Sequence, residues 1–192
     1  MRSTFVGLVA GLASLVAADC NGSPALCSRK YSDVTFVGSH DSAFVGKGLA
    51  DNQYISVTEQ LKLGVRYLQS QTHKKSDGTI ELCHTLCLEK DAGSLSSYLS
   101  TIKTWMDSNK NEVVTLLITN GDRLPASDFG ALFVSTGLDQ YAYSPGANLA
   151  LDQWPTLQSM IDSGRRLVVF LGKFQPTGRL SYSHRVMLTF IM

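Results

Sequence analysis

The stretch VGSHDSAF, residues 37–44, holds the first residues whose types and spacing could do chemistry. An apolar run, Val34 to Val37, ends on Gly38 and Ser39, and His40 and Asp41 follow side by side. Such a pair either satisfies a local turn or moves protons, because a neighbouring carboxylate holds an imidazole in one tautomer and supports its charged form. Asp41 fits a turn role equally well, as an acceptor of backbone N–H groups. His84 follows a second apolar run, Thr79 to Cys83. Two imidazoles at the ends of sheet strands allow one base and one acid near neutral pH.

A third apolar run, Val65 to Gln71, is interrupted by polar residues. In a strand Gln69, Gln71 and His73 project to one face and Leu68 and Ser70 to the other. Three polar groups along ~13 Å of one strand face are costly unless water, a ligand or one another satisfies them. They are therefore candidate substrate-binding residues, against the alternative of a polar core bonded to itself. Ser39 and Ser42 lack the GxSxG elbow, which disfavours a serine hydrolase.

The elements that must hold these residues alternate. Val34–Val37, Val65–Gln71, Thr79–Cys83, Val113–Thr119 and Leu167–Leu171 are β-rich and nearly continuous in apolar character, as in a sheet covered on both faces. Helices are expected over Ser56–Leu63, ending at Gly64, and over Ser94–Asp107. The second carries Leu95, Tyr98, Leu99, Ile102, Trp105 and Met106 at helical spacing, a core stripe. Ser127 is expected to cap a helix through Phe133, and Thr156 to cap Leu157–Ile161 before Gly164. A polar loop, His73 to Gly78, joins the second and third strands. The order β-α-β-β-α-β-α-α-β indicates an α/β fold with a mostly parallel sheet. His40 and His84 then fall at carboxyl ends of strands, where α/β barrels keep their chemistry.

The remaining features bound the function class. Residues 1–18 read as a secretory signal peptide: Arg2, an apolar stretch from Phe5 to Val16, then Val16-Ala17-Ala18. No other stretch is long and apolar enough to span a bilayer. The formal net charge is +1 over 192 residues, with no basic stripe, which argues against nucleic-acid binding. Lys74-Lys75 and Arg165-Arg166 read as solvated ends of elements. Four cysteines, Cys20, Cys27, Cys83 and Cys87, permit three pairings; Cys20–Cys27 with Cys83–Cys87 is favoured, each closing a short loop. A metal site at Cys83-His84-x-x-Cys87 is the weaker reading, since no matching second pair exists. Asn21-Gly22-Ser23 is a candidate glycosylation site.

In order, TFVGSHDSAF, SVTEQLKLGVRYLQSQTH, GTIELCHTLC, YLSTIKTWMDSNKNEVVTLLITN and SGRRLVVF resemble the X-region of phosphatidylinositol-specific phospholipase C. The likeness is strongest to the secreted fungal PLC-like phosphodiesterases and runs from about Cys20 to Leu171. It implies a TIM-type (β/α) barrel and an enzyme of lipid metabolism, a phosphoric diester hydrolase acting on a lipid or inositol-type substrate. His40 would be the general base, His84 the general acid, and Asp41 the partner of the acid histidine. Arg66 matches the G-x-R of the family's second strand and reads as structural.

The chain also departs from that pattern. Bacterial relatives carry an aspartate and an arginine at the positions of Gln69 and Gln71, and calcium-dependent relatives a glutamate and an aspartate. Neutral amides supply neither a cation for phosphate nor hard ligands for calcium, so no cofactor is expected. Thr119 and Asn120 stand near the place of a bacterial lysine. A complete barrel of this type needs ~250 residues and eight strands. The expectation is thus a barrel shortened to about five strands over residues 19–171. Residues 172–192, with His184, are expected outside the fold, and the late carboxylate that orients the base histidine in relatives is missing. The partners implied are a phosphodiester or phospholipid substrate and a transient membrane-surface contact, without nucleic acid. The non-enzymatic alternatives are a secreted PLC-like barrel that binds ligands without turnover, and an inactive truncated product.

Overall fold

The computed structural model describes residues 19–173 and the backbone of residues 186–187. Residues 1–18, where a signal peptide is expected, and residues 174–185 and 188–192 of the tail, with His184, lie outside the described residues. The strands are β1 (Gly38–Ser39), β2 (Tyr67–Lys74), β3 (Ile80–Cys83), β4 (Asp91–Ser94), β5 (Val114–Asn120), β6 (Leu167–Lys173) and β7 (Val186–Met187). The helices are α1 (Val57–Lys62), α2 (Leu95–Ser108), α3 (Ala126–Thr136) and α4 (Leu157–Asp162). One mixed sheet runs β4-β3-β2-β5-β6-β7, with β1 also paired to β2.

The expected strands β2, β5 and β6 form the parallel centre, in register through Gln69↔Leu117↔Phe170. Alternation then sorts the side chains into two layers. Leu68, Leu116, Ile118, Val169 and Leu171 pack against the helices, together with the whole predicted stripe of α2. The opposite face gathers Tyr31, Leu157, Met160 and Val168 in a smaller cluster, and the Tyr31 hydroxyl lies 2.6 Å from Thr115 Oγ1. Thr156 caps its helix as expected, and Ser56 and Ser94, the first residues of the other two expected helices, also cap them: each of the three accepts the N–H three residues on.

Several expectations are corrected. The first strand is not Val34–Val37 but Gly38–Ser39, because Val34 and Phe36 turn into the aromatic cluster around Tyr31. Val37 is exposed, and its carbonyl accepts the Arg66 and Tyr67 N–H groups, which starts the pairing with β2. The sheet is not mostly parallel, since β3, β4 and β7 all pair antiparallel. Strand β4, sequence DAGS, has no β propensity and is held by its pairing to β3 alone. Helix α3 begins two residues early behind Pro125, without a side-chain cap, and Ser127 lies in its first turn. Gly172 and Lys173 belong to β6, paired with Thr119 and Asn120, and Val186–Met187 pair with β6 as well. The described sheet therefore has seven strands rather than five.

Both disulfides form as favoured, Cys20–Cys27 and Cys83–Cys87. Asn21 does not behave as a free acceptor for a glycan. Its Nδ2 donates to the Val113 carbonyl and its Oδ1 accepts the Val113 N–H at 2.6 Å, which ties the N-terminus to β5. Arg166 is likewise no solvated end: it is 3% exposed, and its guanidinium donates to the carbonyls of Met106, Asn109 and Glu112. Arg66 is structural as expected, bonded to Glu112 and to the Leu61 and Val65 carbonyls.

Candidate active site

Strand β2 has one edge against β5 and leaves the other to two short strands. β1 runs parallel to its start, Ser39 beside Leu68, and β3 runs antiparallel to its end, Leu82 beside Thr72. The two therefore approach each other end to end along the same edge. Both leave the sheet at the level of Gln69 to Gln71, and the loops that follow them carry His40-Asp41 and His84. His84 thus reaches the site from an antiparallel strand, not from the mouth of a parallel barrel.

The loop after β1 is fixed at nearly every polar group. The Asp41 N–H donates to Gln69 Oε1 at 2.8 Å, and the Ser42 N–H to the Gln69 carbonyl at 2.8 Å. Gln53 and Gln60 donate to the carbonyls of His40 and Ser42. The Ser42 hydroxyl lies 2.7 Å from the Tyr98 hydroxyl of α2. Burial pushes the Tyr98 phenol far above its ordinary value, against the Ser42 hydrogen bond, so it stays neutral as an anchor. These bonds hold Asp41 at φ 48°, a left-handed conformation that aspartate and asparagine adopt more readily than other side chains.

Asp41 is fully buried, and one of its oxygens is the meeting point of the site. Its Oδ2 lies 3.1 Å from His40 Nε2 and 3.4 Å from His84 Nε2, and it accepts a hydrogen bond from Gln71 Nε2 at 3.0 Å. The two imidazoles predicted to act together are thus brought to a single carboxylate. They differ in setting, since the His40 side chain is 70% exposed and that of His84 is 25% exposed, its ring edge-on to Phe44 at 5.3 Å between centroids. His84 Nδ1 is enclosed and unpartnered among the described residues, which leaves Nε2 as its working nitrogen. A carboxylate between two rings is electroneutral when one is charged and the other neutral, the arrangement a base and an acid need.

The strand-two residues divide. Gln69 and Gln71 bridge loops: Gln69 donates weakly to Thr119 at 3.4 Å, and Gln71 also accepts the Thr85 N–H at 3.4 Å. Their engaged, uncharged amides do not suit calcium, which takes hard, mostly anionic oxygen ligands. His73 does not join Asp41 but pairs with Asp122, with Nδ1 and Oδ1 2.9 Å apart. The sequence reading missed Gln53, Gln60, Thr85 and Asp122; only Asp122, in the turn Asn120-Gly121-Asp122, sits in a recognisable local pattern.

His84 also lines a groove of about 490 Å³ with Leu49, Ala50, Asp51 and Lys90. Lys90 joins its walls by an ion pair to Asp51 Oδ1 at 2.6 Å. Leu49 of this lining is fully exposed, as is Leu88, next in sequence to the lining residue Glu89, and Leu86 is about half exposed. His84 itself sits inside the ring closed by Cys83–Cys87, with Thr85 at φ 58°. A Cys83→Ser/Cys87→Ser double variant should lose only about 2 kcal/mol of stability, given the short loop. Thermal unfolding beside the wild type will measure that loss.

The family model PI-PLC X matches residues 26–187. A protein of Arthroderma benhamiae named PI-PLC X domain-containing protein 1 is 54% identical over 164 residues, 85% of this chain and 54% of that protein. Another from the same fungus, named an uncharacterized secreted protein, is 43% identical over 165 residues, 85% of this chain and 37% of that protein. The matched region thus spans about half or less of these relatives. Among solved structures, a double mutant of the phosphatidylinositol-specific phospholipase C of Staphylococcus aureus superposes with a TM-score of 0.58 at 18% identity, over 85% of this chain and 56% of that one. The enzyme of the same name from Listeria monocytogenes gives 0.54 at 18%, over 85% and 60%. With the histidine pair joined at one carboxylate and the family model matched over most of its length, the chain belongs to the PI-PLC X family.

Proposed function

We propose that this chain cleaves a phosphoric diester on a lipid or inositol-type alcohol by two-histidine general acid/base catalysis. His40, with Nε2 facing Asp41, takes the proton of the attacking hydroxyl at Nδ1 as its oxygen bonds to phosphorus. The His84 ring gives a proton to the departing alcohol oxygen as the P–O bond breaks, and Asp41 orients both rings through their Nε2 atoms. The observation that carries the reading is the contact of both imidazoles with one buried carboxylate oxygen. The exposed Leu49 and Leu88 support a substrate presented at a lipid surface. The sheet is read as part of a TIM-type barrel, and the reaction as independent of a bound metal, on the neutral donors of Gln69 and Gln71. The two disulfides and the relative named as secreted support an extracellular location.

A second reading, a PLC-like barrel that binds phosphate-bearing ligands without turnover, is favoured by those same neutral amides, which bring no charge of their own to a developing phosphoryl transition state. Both readings are tested by assaying the chain on phosphatidylinositol vesicles and a simple aryl phosphodiester, with and without calcium. His40→Ala and His84→Ala should each lower kcat/KM by roughly 10²- to 10⁴-fold. The exposed His40 position should leave the melting temperature unchanged. Turnover equal to wild type in both variants overturns the two-histidine reading. No turnover in any protein, with phosphate binding retained, selects the binder.

A further inference from the structure

Phosphoryl transfer needs positive charge or strong donors aimed at the non-bridging oxygens. Neither Gln69 nor Gln71 brings charge to β2, and Lys90 and Lys74 are paired with Asp51 and Asp128. The inner face of the sheet nevertheless contains a second hollow, of about 150 Å³, lined by Gln71, Thr72, His73, Thr85, Thr119 and Gly121. It adjoins the acid/base pair, because Gln71 is bonded to Asp41 and Thr85 follows His84. It is smaller than a pocket for a whole organic ligand, and suits one anionic group.

His73 is the one ionisable side chain among these lining residues, and its ring is held from two sides. Its Nδ1 lies 2.9 Å from Asp122 Oδ1, while Asp122 Oδ2 accepts the Lys74 N–H at 2.6 Å. Although partial burial opposes it, the Lys74 amide and the His73 ring hold the Asp122 carboxyl below its ordinary value, so the partner is an anion. Beneath the ring lies Gly121, where a Cβ would come within 2.6 Å of His73 Cε1. A side chain there would displace the ring and break its bond to Asp122. With Nδ1 committed to the carboxylate, Nε2 is the nitrogen left to meet a ligand. Thr119 Oγ1 accepts from Gln69, so its own hydrogen is free to point elsewhere.

We propose that His73, held by Asp122 and seated on Gly121, is the phosphate-binding cation of this site, its protonated Nε2 donating to a non-bridging phosphoryl oxygen beside the Thr119 hydroxyl. The inference rests on the phosphodiester reading for its substrate, but it concerns a separate hollow and separate residues.

The test uses inorganic phosphate as the ligand and the phosphodiester assay as the second readout. In the wild-type chain, titration with phosphate should shift the His73 Nε2 resonance in ¹H–¹⁵N imidazole spectra. His73→Gln should weaken phosphate binding and lower kcat/KM by roughly 10- to 100-fold, the weight of a charge-assisted hydrogen bond. Gly121→Ala should do the same without altering a charge, by pushing the ring. Unmoved His73 resonances, with His73→Gln binding phosphate as wild type does, overturn the proposal and leave the His40/His84 reading standing. Conversely, phosphate binding lost in His73→Gln, while His40→Ala and His84→Ala turn over like wild type, supports the proposal and removes the two-histidine chemistry.

Discussion

Asp41→Asn should fold as the wild type does and lose roughly 10²- to 10⁴-fold in kcat/KM. Asparagine fits the left-handed backbone at this position and keeps the N–H that Gln69 accepts. What it removes is the negative charge that faces His40 Nε2 and His84 Nε2 together. One substitution therefore disturbs both proton transfers, whereas each histidine variant disturbs one. Removing a buried charge whose Oδ1 has no partner among the described residues carries little stability penalty. Asp41→Ala should lose activity to a similar degree and also about 1–2 kcal/mol of stability, because alanine is strained at positive φ. Steady-state kinetics beside thermal unfolding separate the two effects. An Asp41→Asn protein as active as wild type would remove the carboxylate from the mechanism.

The second large effect is on stability. Arg166→Ala should cost about 3–5 kcal/mol, a large part of the 5–15 kcal/mol typical of a domain. Its guanidinium reaches three carbonyls, of Met106 at 2.6 Å, Asn109 at 3.0 Å and Glu112 at 3.2 Å. Two of these belong to the C-terminal end of α2, where cations are favoured by the aligned peptide dipoles. The guanidinium also lies over the Tyr141 ring, 4.4 Å from its centroid. Truncation leaves a void and takes a donor from three carbonyls, of which Met106 alone keeps another, the Asn109 N–H, so the melting temperature should fall by roughly 10 °C. Arg166→Lys should recover only part of this, since one ammonium cannot span three acceptors in a plane. The neighbouring Arg165→Ala should stay within about 0.5 kcal/mol of wild type. Equal melting temperatures for the Arg165 and Arg166 variants would show that the carbonyl network contributes little.

Much of the local structure was legible from short spans. The caps at Ser56, Ser94 and Thr156 act within three residues, and the α2 stripe repeats every turn. The two disulfides close loops of 7 and 4 residues in sequence separation. The His40-Asp41 pair and His84 stood out because polar groups interrupt apolar runs. The orientation of β3 was not legible, because an apolar tetrapeptide reads alike in either direction. Nor was β4, whose DAGS has no preference for a strand until β3 supplies the hydrogen bonds.

Residue types and their periodic spacing by themselves determined the α/β class, the helices, the disulfides and the identity of the acid/base candidates. Tertiary structure alone decided how those candidates meet. The bonds that join Gln69 and Gln71 to Asp41 cross 28 and 30 residues, His73 to Asp122 crosses 49, and Arg166 to Met106 crosses 60. Contacts of that reach leave no local pattern, because each partner is satisfied only once distant elements have met: β1 on one edge of β2 for Asp41, β5 on the other for Asp122, and α2 against the start of β6 for Arg166.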